Sequence, residues 1–156
     1  MITTPNYWLF QGKPEAYDFA AAVKENLIEE WNVKAHWKII KKGDKAILWL
    51  SGENSGCYAL ADIIDNPRRS GKSVDHNLWN VKDDTGRKHK IEDEDALKVR
   101  INITHNRFKN PILWREVKTL KGLEYVKAGY RGTNFKSTKE EYQIFKGLME
   151  SSNNQQ

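Results

Sequence analysis

The segment from Ile40 to Ile64 constrains the fold of this chain more than any other stretch. Its sequence, IKKGDKAILWLSGENSGCYALADII, predicts a strand, a hairpin loop and a return strand. A Lys-Gly-Asp turn precedes the apolar run from Ala46 to Leu50, and a cluster of turn-forming residues follows it between Ser51 and Gly56. The alternating run from Cys57 to Ile64 predicts the second strand of the hairpin.

The segments before this hairpin predict one strand and one helix. Asn6 to Phe10 predicts an opening strand, and Pro14 suits the first turn of a helix, where a missing N–H costs nothing. Apolar residues at helical spacing continue this helix to Ile28. Residues 29–42 predict a loop or a short helix that lies on the sheet.

The segments after the hairpin predict a strand and a closing helix. Residues 66–82 predict irregular structure, and the alternating run from Leu97 to Ile103 predicts a half-buried strand. Residues 137–149 predict a helix with Ser137 or Thr138 as its N-cap. Together these elements indicate an α+β domain with a mainly antiparallel, curved sheet or small barrel and helices near both ends.

The composition indicates one domain without a membrane segment. At 156 residues the chain is long enough to enclose a core, and we expect one domain over residues 1–150. Residues 151–156 predict a disordered tail or the start of a linker to a further domain. No apolar run is long enough to cross a bilayer and no signal-peptide pattern follows Met1. The single cysteine, Cys57, suits the reducing cytoplasm.

Motifs for catalysis are missing from the sequence. It has no phosphate-binding loop, no dinucleotide fingerprint and no metal-ligand spacing among its histidines, so we predict no cofactor and no metal site. Cys57 has apolar neighbours in a predicted strand, which favours packing over nucleophilic chemistry. The sequence therefore predicts a binding module, and the net charge of +5 favours a polyanionic partner.

Six tryptophans are unusual for a chain of this size, and five of them fall into two groups. Trp8 and Trp114 have apolar neighbours, which favours core packing. Trp31 and Trp79 lie in polar sequence, and Trp49 lies at the end of a strand beside a turn. These three residues are equally compatible with a structural role and with stacking on a ligand.

Several segments resemble the EVE domain in their order and spacing, from about Asn6 to Leu148. They are YWLFQGKP at 7–14, WNV at 31–33, IKKGD at 40–44, LWLSG at 48–52, GCYALADI at 56–63, NP at 66–67 and YRGTNF at 130–135.

This resemblance implies a PUA-like, curved, mainly antiparallel β-barrel with flanking helices, related to the YTH domain. It also implies recognition of a modified base, held in an aromatic cage after leaving its stack. The variant looks like those at the N-terminus of McrB-like NTPases or HNH nucleases of modification-dependent restriction systems, in which a separate domain cuts.

Matching positions imply a modified-base pocket. Trp31 corresponds to a cage tryptophan, Trp49 and Ser51 to an aromatic–serine pair, and Trp79 to a later cage tryptophan. The resemblance adds polar contacts to the base from Gln11, Gly12 and Asn32.

Phosphate contacts would supply affinity, and a lysine or arginine in each of several segments is a candidate. The candidates are Lys13, Lys41, Lys42, Arg68, Arg69, Lys72, Arg115, Lys118 and Arg131.

The sequence leaves the ligand open in two respects. A DNA reader would bind 5-methylcytosine, 5-hydroxymethylcytosine or N6-methyladenine, and the sequence does not choose among them. The alternatives are an RNA-binding module that reads a modified adenine in single strands, and a small-molecule-sensing or scaffold domain.

Overall fold

The structure is a computed structural model that describes residues 4–12, 28–33, 35–69, 97–127 and 132–153. The helix predicted from Pro14 lies almost entirely outside these ranges, as do residues 70–96.

The described residues form eight strands and two helices. The strands are β1 (Tyr7–Gly12), β2 (Ile28–Asn32), β3 (Lys45–Leu50), β4 (Gly56–Ile63), β5 (Arg68–Arg69), β6 (Leu97–Asn106), β7 (Ile112–Leu113) and β8 (Asn134–Lys136); the helices are α1 (Trp114–Val117) and α2 (Lys139–Asn153). No helix among these residues is long and apolar enough to cross a membrane.

The strands form one mixed sheet in the order β2-β6-β4-β3-β1-β8, with β5 paired to β6 and β7 paired to β4. Strands β1 and β3 are parallel, and every other pairing in the described residues is antiparallel. The predicted α+β class with a mainly antiparallel sheet is therefore confirmed.

The predicted central hairpin is present as β3 and β4. Ala46 pairs with Ala61, and the register shifts between Leu48 and Trp49, where the ladder has an irregularity. The predicted opening strand, the strand from Leu97 and the closing helix are also present, as β1, β6 and α2.

Three predictions of local structure were wrong. Residues 28–32, predicted as the end of a helix and the start of a loop or short helix, form strand β2, in which Trp31 pairs with Val99. The segment predicted as irregular contains the short strand β5. Residues 151–153, predicted as part of a disordered tail or linker, continue α2. Strand pairing explains the first two, because partners distant in sequence decide whether a polar segment becomes a strand.

The sheet curves strongly, as the ring contact between β1 and β2 demonstrates. Three strands separate these two in the sheet order, so on a flat sheet they would lie roughly 19 Å apart. The ring centroids of Phe10 and Trp31 are nevertheless 6.1 Å apart. The sheet therefore wraps around the apolar residues between them, as a barrel-like fold requires.

Each face of the sheet has its own apolar cluster. The inner cluster, which the sheet wraps around, consists of Trp8, Phe10, Trp31, Val33, Ile40, Ala46, Leu48, Leu50, Tyr58, Ala59, Ala61, Ile63, Val99, Ile101, Ile103 and Phe108. The outer cluster packs the opposite face against α2 and consists of Leu9, Ile47, Trp49, Cys57, Leu60, Ile112, Val117, Leu123, Val126, Tyr142, Phe145 and Met149.

Candidate functional site

Trp31 belongs to the inner cluster and lies on β2, which ends the order of the curved sheet. Its ring stacks on Phe10, with an interplanar angle of 24°, and only 2% of the residue is exposed. Strand pairing with β6 fixes the backbone of Trp31 opposite Val99. A flat aromatic ring is therefore held rigidly inside the curve of the sheet.

Trp49 lies on the other face of the sheet, in the outer cluster. Its ring contacts Trp114 and Phe145 edge-on, at centroid distances of 5.6 and 6.1 Å, and none of it is exposed. Its Nε1 has no hydrogen-bond partner among the described residues. Trp31 and Trp49 therefore do not line one pocket, which corrects the expectation that both rings hold the same base.

Strand alternation explains this separation. Successive side chains of a strand point to opposite faces, so Leu48 joins the inner cluster and Trp49 the outer one. The sequence alone does not indicate which face lies inside the curve, because both faces of β3 are apolar.

Three residues of the predicted pocket, Gln11, Gly12 and Ser51, lie close together where the parallel strands β1 and β3 end. Ser51 donates both its backbone N–H and its hydroxyl to the carbonyl oxygen of Gly12, at 2.9 and 3.3 Å. Gln11 is buried, and its side-chain amide donates to the carbonyl oxygen of Gly132 at 3.1 Å. These groups join β1, β3 and the segment before β8.

The predicted phosphate-binding residues whose side chains the structure describes separate into two groups at opposite ends of the β3–β4 hairpin, roughly 20 Å apart. The first group is Lys41, Lys42 and Arg68. Lys42 is exposed and its backbone N–H donates to Asn66, close to Arg68 in sequence. The second group, Arg115 and Lys118, lies at α1, where Arg115 donates to the side chain of Asn54 in the hairpin loop.

Only the first group lies near Trp31. Arg68 of β5 and Asn32 of β2 both pair with Lys98 of β6, one on each side. Two strand spacings therefore separate the backbones of Arg68 and Asn32, about 10 Å. The side chain of Arg68 is exposed, and its nearest described carboxylate is Asp65 at 3.7 Å. The pairing of both residues with Lys98 therefore brings the Arg68 cation close to β2, the strand that carries Trp31.

Other predicted site residues lie outside the described part of the structure. They are Trp79, Lys13, Lys72 and Arg131, together with the side chains of Asn32 and Arg69. Their roles stay predictions.

Asp44 is a residue that sequence reasoning missed. Its fully buried carboxylate accepts hydrogen bonds from Trp8 Nε1 at 2.9 Å, from the backbone N–H of Asn6 at 2.9 Å and from the backbone N–H of Lys41 at 3.0 Å. Lys41 Nζ also pairs with it at 3.0 Å. Lys41, predicted to bind phosphate, therefore neutralises a buried charge, and the carboxylate fixes the loop before β3.

Cys57 is buried in the outer cluster, as the sequence predicted. Burial raises the pKa of its thiol far above the ordinary value, which keeps the thiol protonated. Among the described residues, no group of three His, Cys, Asp or Glu side chains is arranged to hold a metal ion.

Comparison with known proteins gives one family and a set of solved structures. The EVE domain family model matches residues 6–147. Among curated proteins, none matches the chain.

The solved structures are similar in fold at low sequence identity. A hypothetical protein from Leishmania major is 16% identical, with a TM-score of 0.65 over 96% of this chain and 98% of that one. The human THYN1 protein, solved in complex with DNA containing 5-methylcytosine, is 14% identical, with a TM-score of 0.62 over 93% of this chain and 98% of that one. Rpa0253 from Rhodopseudomonas palustris is 19% identical, with a TM-score of 0.60 over 94% of each chain.

Proposed function

The chain belongs to the EVE domain family, and from this premise we propose that it is a binding domain for DNA that carries a modified base. A second support is the similar fold of human THYN1, a protein that was solved with 5-methylcytosine DNA. The proposal extends to the mechanism: a methylated or hydroxymethylated base leaves the helix and enters a pocket walled by Trp31.

The rigid aromatic ring inside the curve of the sheet is the observation that supports this mechanism most directly. Trp31 is stacked on Phe10 and held by strand pairing, so its position is fixed before a ligand binds. Extracting a base costs a few kcal/mol of stacking and pairing. Stacking on an aromatic ring returns about 1–3 kcal/mol per base, which offsets that cost.

The positions of the cations agree with the same site. Arg68 and Lys42 lie at the end of the sheet near Trp31, are exposed, and would contact phosphates on either side of the extracted base. Trp49 has no part in this pocket, because it lies across the sheet in the outer cluster.

The test is a titration of labelled DNA duplexes, followed by fluorescence anisotropy at one moderate salt concentration. Matched duplexes would carry 5-methylcytosine, 5-hydroxymethylcytosine, N6-methyladenine or no modification. We expect one modified duplex to bind several-fold more tightly than the plain one. Equal binding to all four duplexes would contradict the proposal, and a matched single-stranded RNA would then be titrated.

The role of Trp31 is tested by Trp31→Leu, which keeps an apolar side chain in the inner cluster but removes the flat ring. We expect the preference for the modified duplex to disappear while weak, salt-dependent binding to both duplexes persists. Trp114→Leu is the matched control, because Trp114 packs on the outer cluster. A Trp31→Leu protein that folds and keeps its preference would exclude Trp31 from the pocket.

We further propose that a restriction NTPase or nuclease domain supplies the reaction and that the protein works in the cytoplasm. The sequence resemblance to restriction-associated EVE domains supports the first part, and the single cysteine supports the second. Full-length protein purified from its own cells should carry nucleotide hydrolysis or DNA cleavage that depends on the modified base. Purified protein without either activity would contradict this part of the proposal.

A further inference from the structure

An apolar side-chain pair projects into solvent from the loop between β2 and β3. Trp37 is 44% exposed and Ile39 is 45% exposed, although an exposed tryptophan is costly unless it meets a partner. We call these two residues with Lys38 between them the loop tip. The proposed base pocket does not use any of the three.

The loop that presents this tip is held in a fixed conformation. His36 has a φ of +62°, which is uncommon for a residue other than glycine. Its ring lies 5.3 Å from that of Trp8, and its carbonyl oxygen accepts the backbone N–H groups of Ile39 and Ile40 at 2.9 and 3.0 Å. Unfavourable backbone of this kind persists only where the surroundings enforce it, and it often occurs at functional sites.

Further contacts anchor both sides of the tip. The side-chain amide of Asn6 donates to the carbonyl oxygen of Ile39 at 3.3 Å, and Ile40 is buried in the inner cluster. The Asp44 carboxylate fixes the end of the loop through Lys41. Trp37 and Ile39 are therefore exposed on a loop that is anchored on both sides.

The charge around the tip is positive. Residues 35–45 contain four lysines and one aspartate, and the aspartate is buried. Lys38 Nζ lies 5.5 Å from the centroid of the Trp37 ring, and Lys42 is exposed. Aromatic and aliphatic surface interleaved with lysines complements the bases and phosphates of a nucleic-acid strand.

The tip is also close to the proposed pocket. His36 contacts Trp8, and Trp8 lies two residues before Phe10 on the same face of β1. Phe10 in turn stacks on Trp31. The loop that carries the tip therefore packs against the same face of β1 that contacts Trp31.

We propose that the loop tip is a second DNA contact, which binds nucleotides flanking the modified base without reading their sequence. Trp37 and Ile39 contact bases and sugars exposed beside the extracted nucleotide, and Lys38 and Lys42 contact phosphates. This inference rests on the proposed function, and it predicts an effect that differs from that of the pocket: the tip contributes affinity, whereas Trp31 contributes preference.

The experiment compares Trp37→Ala with Tyr125→Ala on the modified and the plain duplex. Tyr125 is a matched control because it is 84% exposed and lies between Leu123 and Val126 of the outer cluster, on the other face of the sheet. We expect Trp37→Ala to weaken binding to both duplexes by a similar factor, at least about fivefold, with the preference retained. Tyr125→Ala should bind as the wild type does.

Two results would overturn the inference. One is a Trp37→Ala protein, folded by circular dichroism, that binds plain DNA as tightly as the wild type; the other is an equal loss in Tyr125→Ala. Trp37→Gln serves as the second variant if the alanine protein does not fold. If the wild type shows no preference for any modification, the proposed function fails, but the same comparison on plain DNA still decides the role of the tip.

An independent measurement uses Lys38. Lys38→Ala should lower the slope of log affinity against log salt concentration by about 0.9, the value for one lost phosphate contact. Lys121→Ala, an exposed lysine in the segment that packs on the outer cluster, should leave the slope unchanged. An unchanged slope in Lys38→Ala would overturn the phosphate contact.

Discussion

Among single residues, Asp44 and Trp8 illustrate how one buried charge can organise a surface. The Asp44 carboxylate is out of contact with water but accepts several hydrogen bonds, one of them from the indole of Trp8. A buried carboxylate with fewer partners would be strongly unfavourable. This arrangement fixes the turn before β3, and with it the loop that presents Trp37 and the lysines around it.

Tyr142 makes the free energy of unfolding depend on pH in the alkaline range. It is buried in the outer cluster, and burial is the main cause that raises the pKa of its phenol to about 12, with the Asp62 carboxylate as a smaller one. In the unfolded chain a tyrosine ionises near pH 10, so between about pH 10 and about pH 12 the unfolded state holds fewer protons. The stability due to the neutral phenol is therefore complete below about pH 10 and is lost as the pH rises through about 12.

We expect Tyr142→Phe to reduce this loss. Urea unfolding at about pH 9 and about pH 11 should show a smaller fall in the free energy of unfolding for the variant, by on the order of 1 kcal/mol. Tyr125→Phe is the control substitution, because its ring is exposed. Equal falls in Tyr142→Phe and the wild type would contradict the assignment.

Among the elements, α2 is specified locally and then positioned by packing. Thr138 Oγ1 accepts the backbone N–H of Glu141 at 3.0 Å, and the Glu141 carboxylate accepts the backbone N–H of Thr138 at 3.2 Å, a reciprocal capping box. The sequence predicted Ser137 or Thr138 as the N-cap, and the structure has Thr138 in that role. Tyr142, Phe145 and Met149 then bury one side of the helix against the outer face of the sheet.

Two glycines should respond in opposite directions to substitution by alanine. Gly147 is exposed within α2, and an added Cβ would meet nothing within 4 Å, so Gly147→Ala should raise the free energy of unfolding by about 0.5–1 kcal/mol. At Gly56 in β4, an added Cβ would collide with the backbone carbonyl of Ile112 in β7. Gly56→Ala should lower the free energy by about 1–3 kcal/mol. Chemical denaturation measures both, and a stabilised Gly56→Ala would disprove the close approach of β4 and β7.

For the whole molecule, the distribution of charge decides which cations reach DNA. Lys42 and Arg68 lie at the end of the sheet near Trp31, whereas Arg115 and Lys118 lie at α1, at the opposite end of the β3–β4 hairpin. Each of these two pairs consists of one lysine and one arginine, so the two pairs carry the same charge. Their effects on binding should therefore differ for geometric reasons alone.

We expect the double variant Lys42→Ala/Arg68→Ala to weaken binding to a plain duplex and to lower the salt slope by up to about 1.8. The matched double variant Arg115→Ala/Lys118→Ala should keep the wild-type slope. Salt titrations by fluorescence anisotropy measure both. Equal reductions in the two variants would indicate a diffuse electrostatic attraction instead of a defined binding side.

The sequence by itself determined the elements whose signals are local. The central hairpin, the strand from Leu97 and the capped closing helix follow from alternation, turn residues and capping residues, and they are present as β3 and β4, β6 and α2. The family was also evident from the order and spacing of short segments. The packing of Cys57 followed from its apolar neighbours.

Only the tertiary structure decided where the tryptophans lie relative to one another. Residues 28–32 become a strand because β6 pairs with them, a partner more than sixty residues away. Alternate residues of β3 face opposite sides of the sheet, so Leu48 lies on the side of Trp31 and Trp49 on the other side. The curvature of the sheet makes the side of Trp31 an interior. Sequence pattern reports which residues are apolar, but long-range pairing and curvature decide which of them meet.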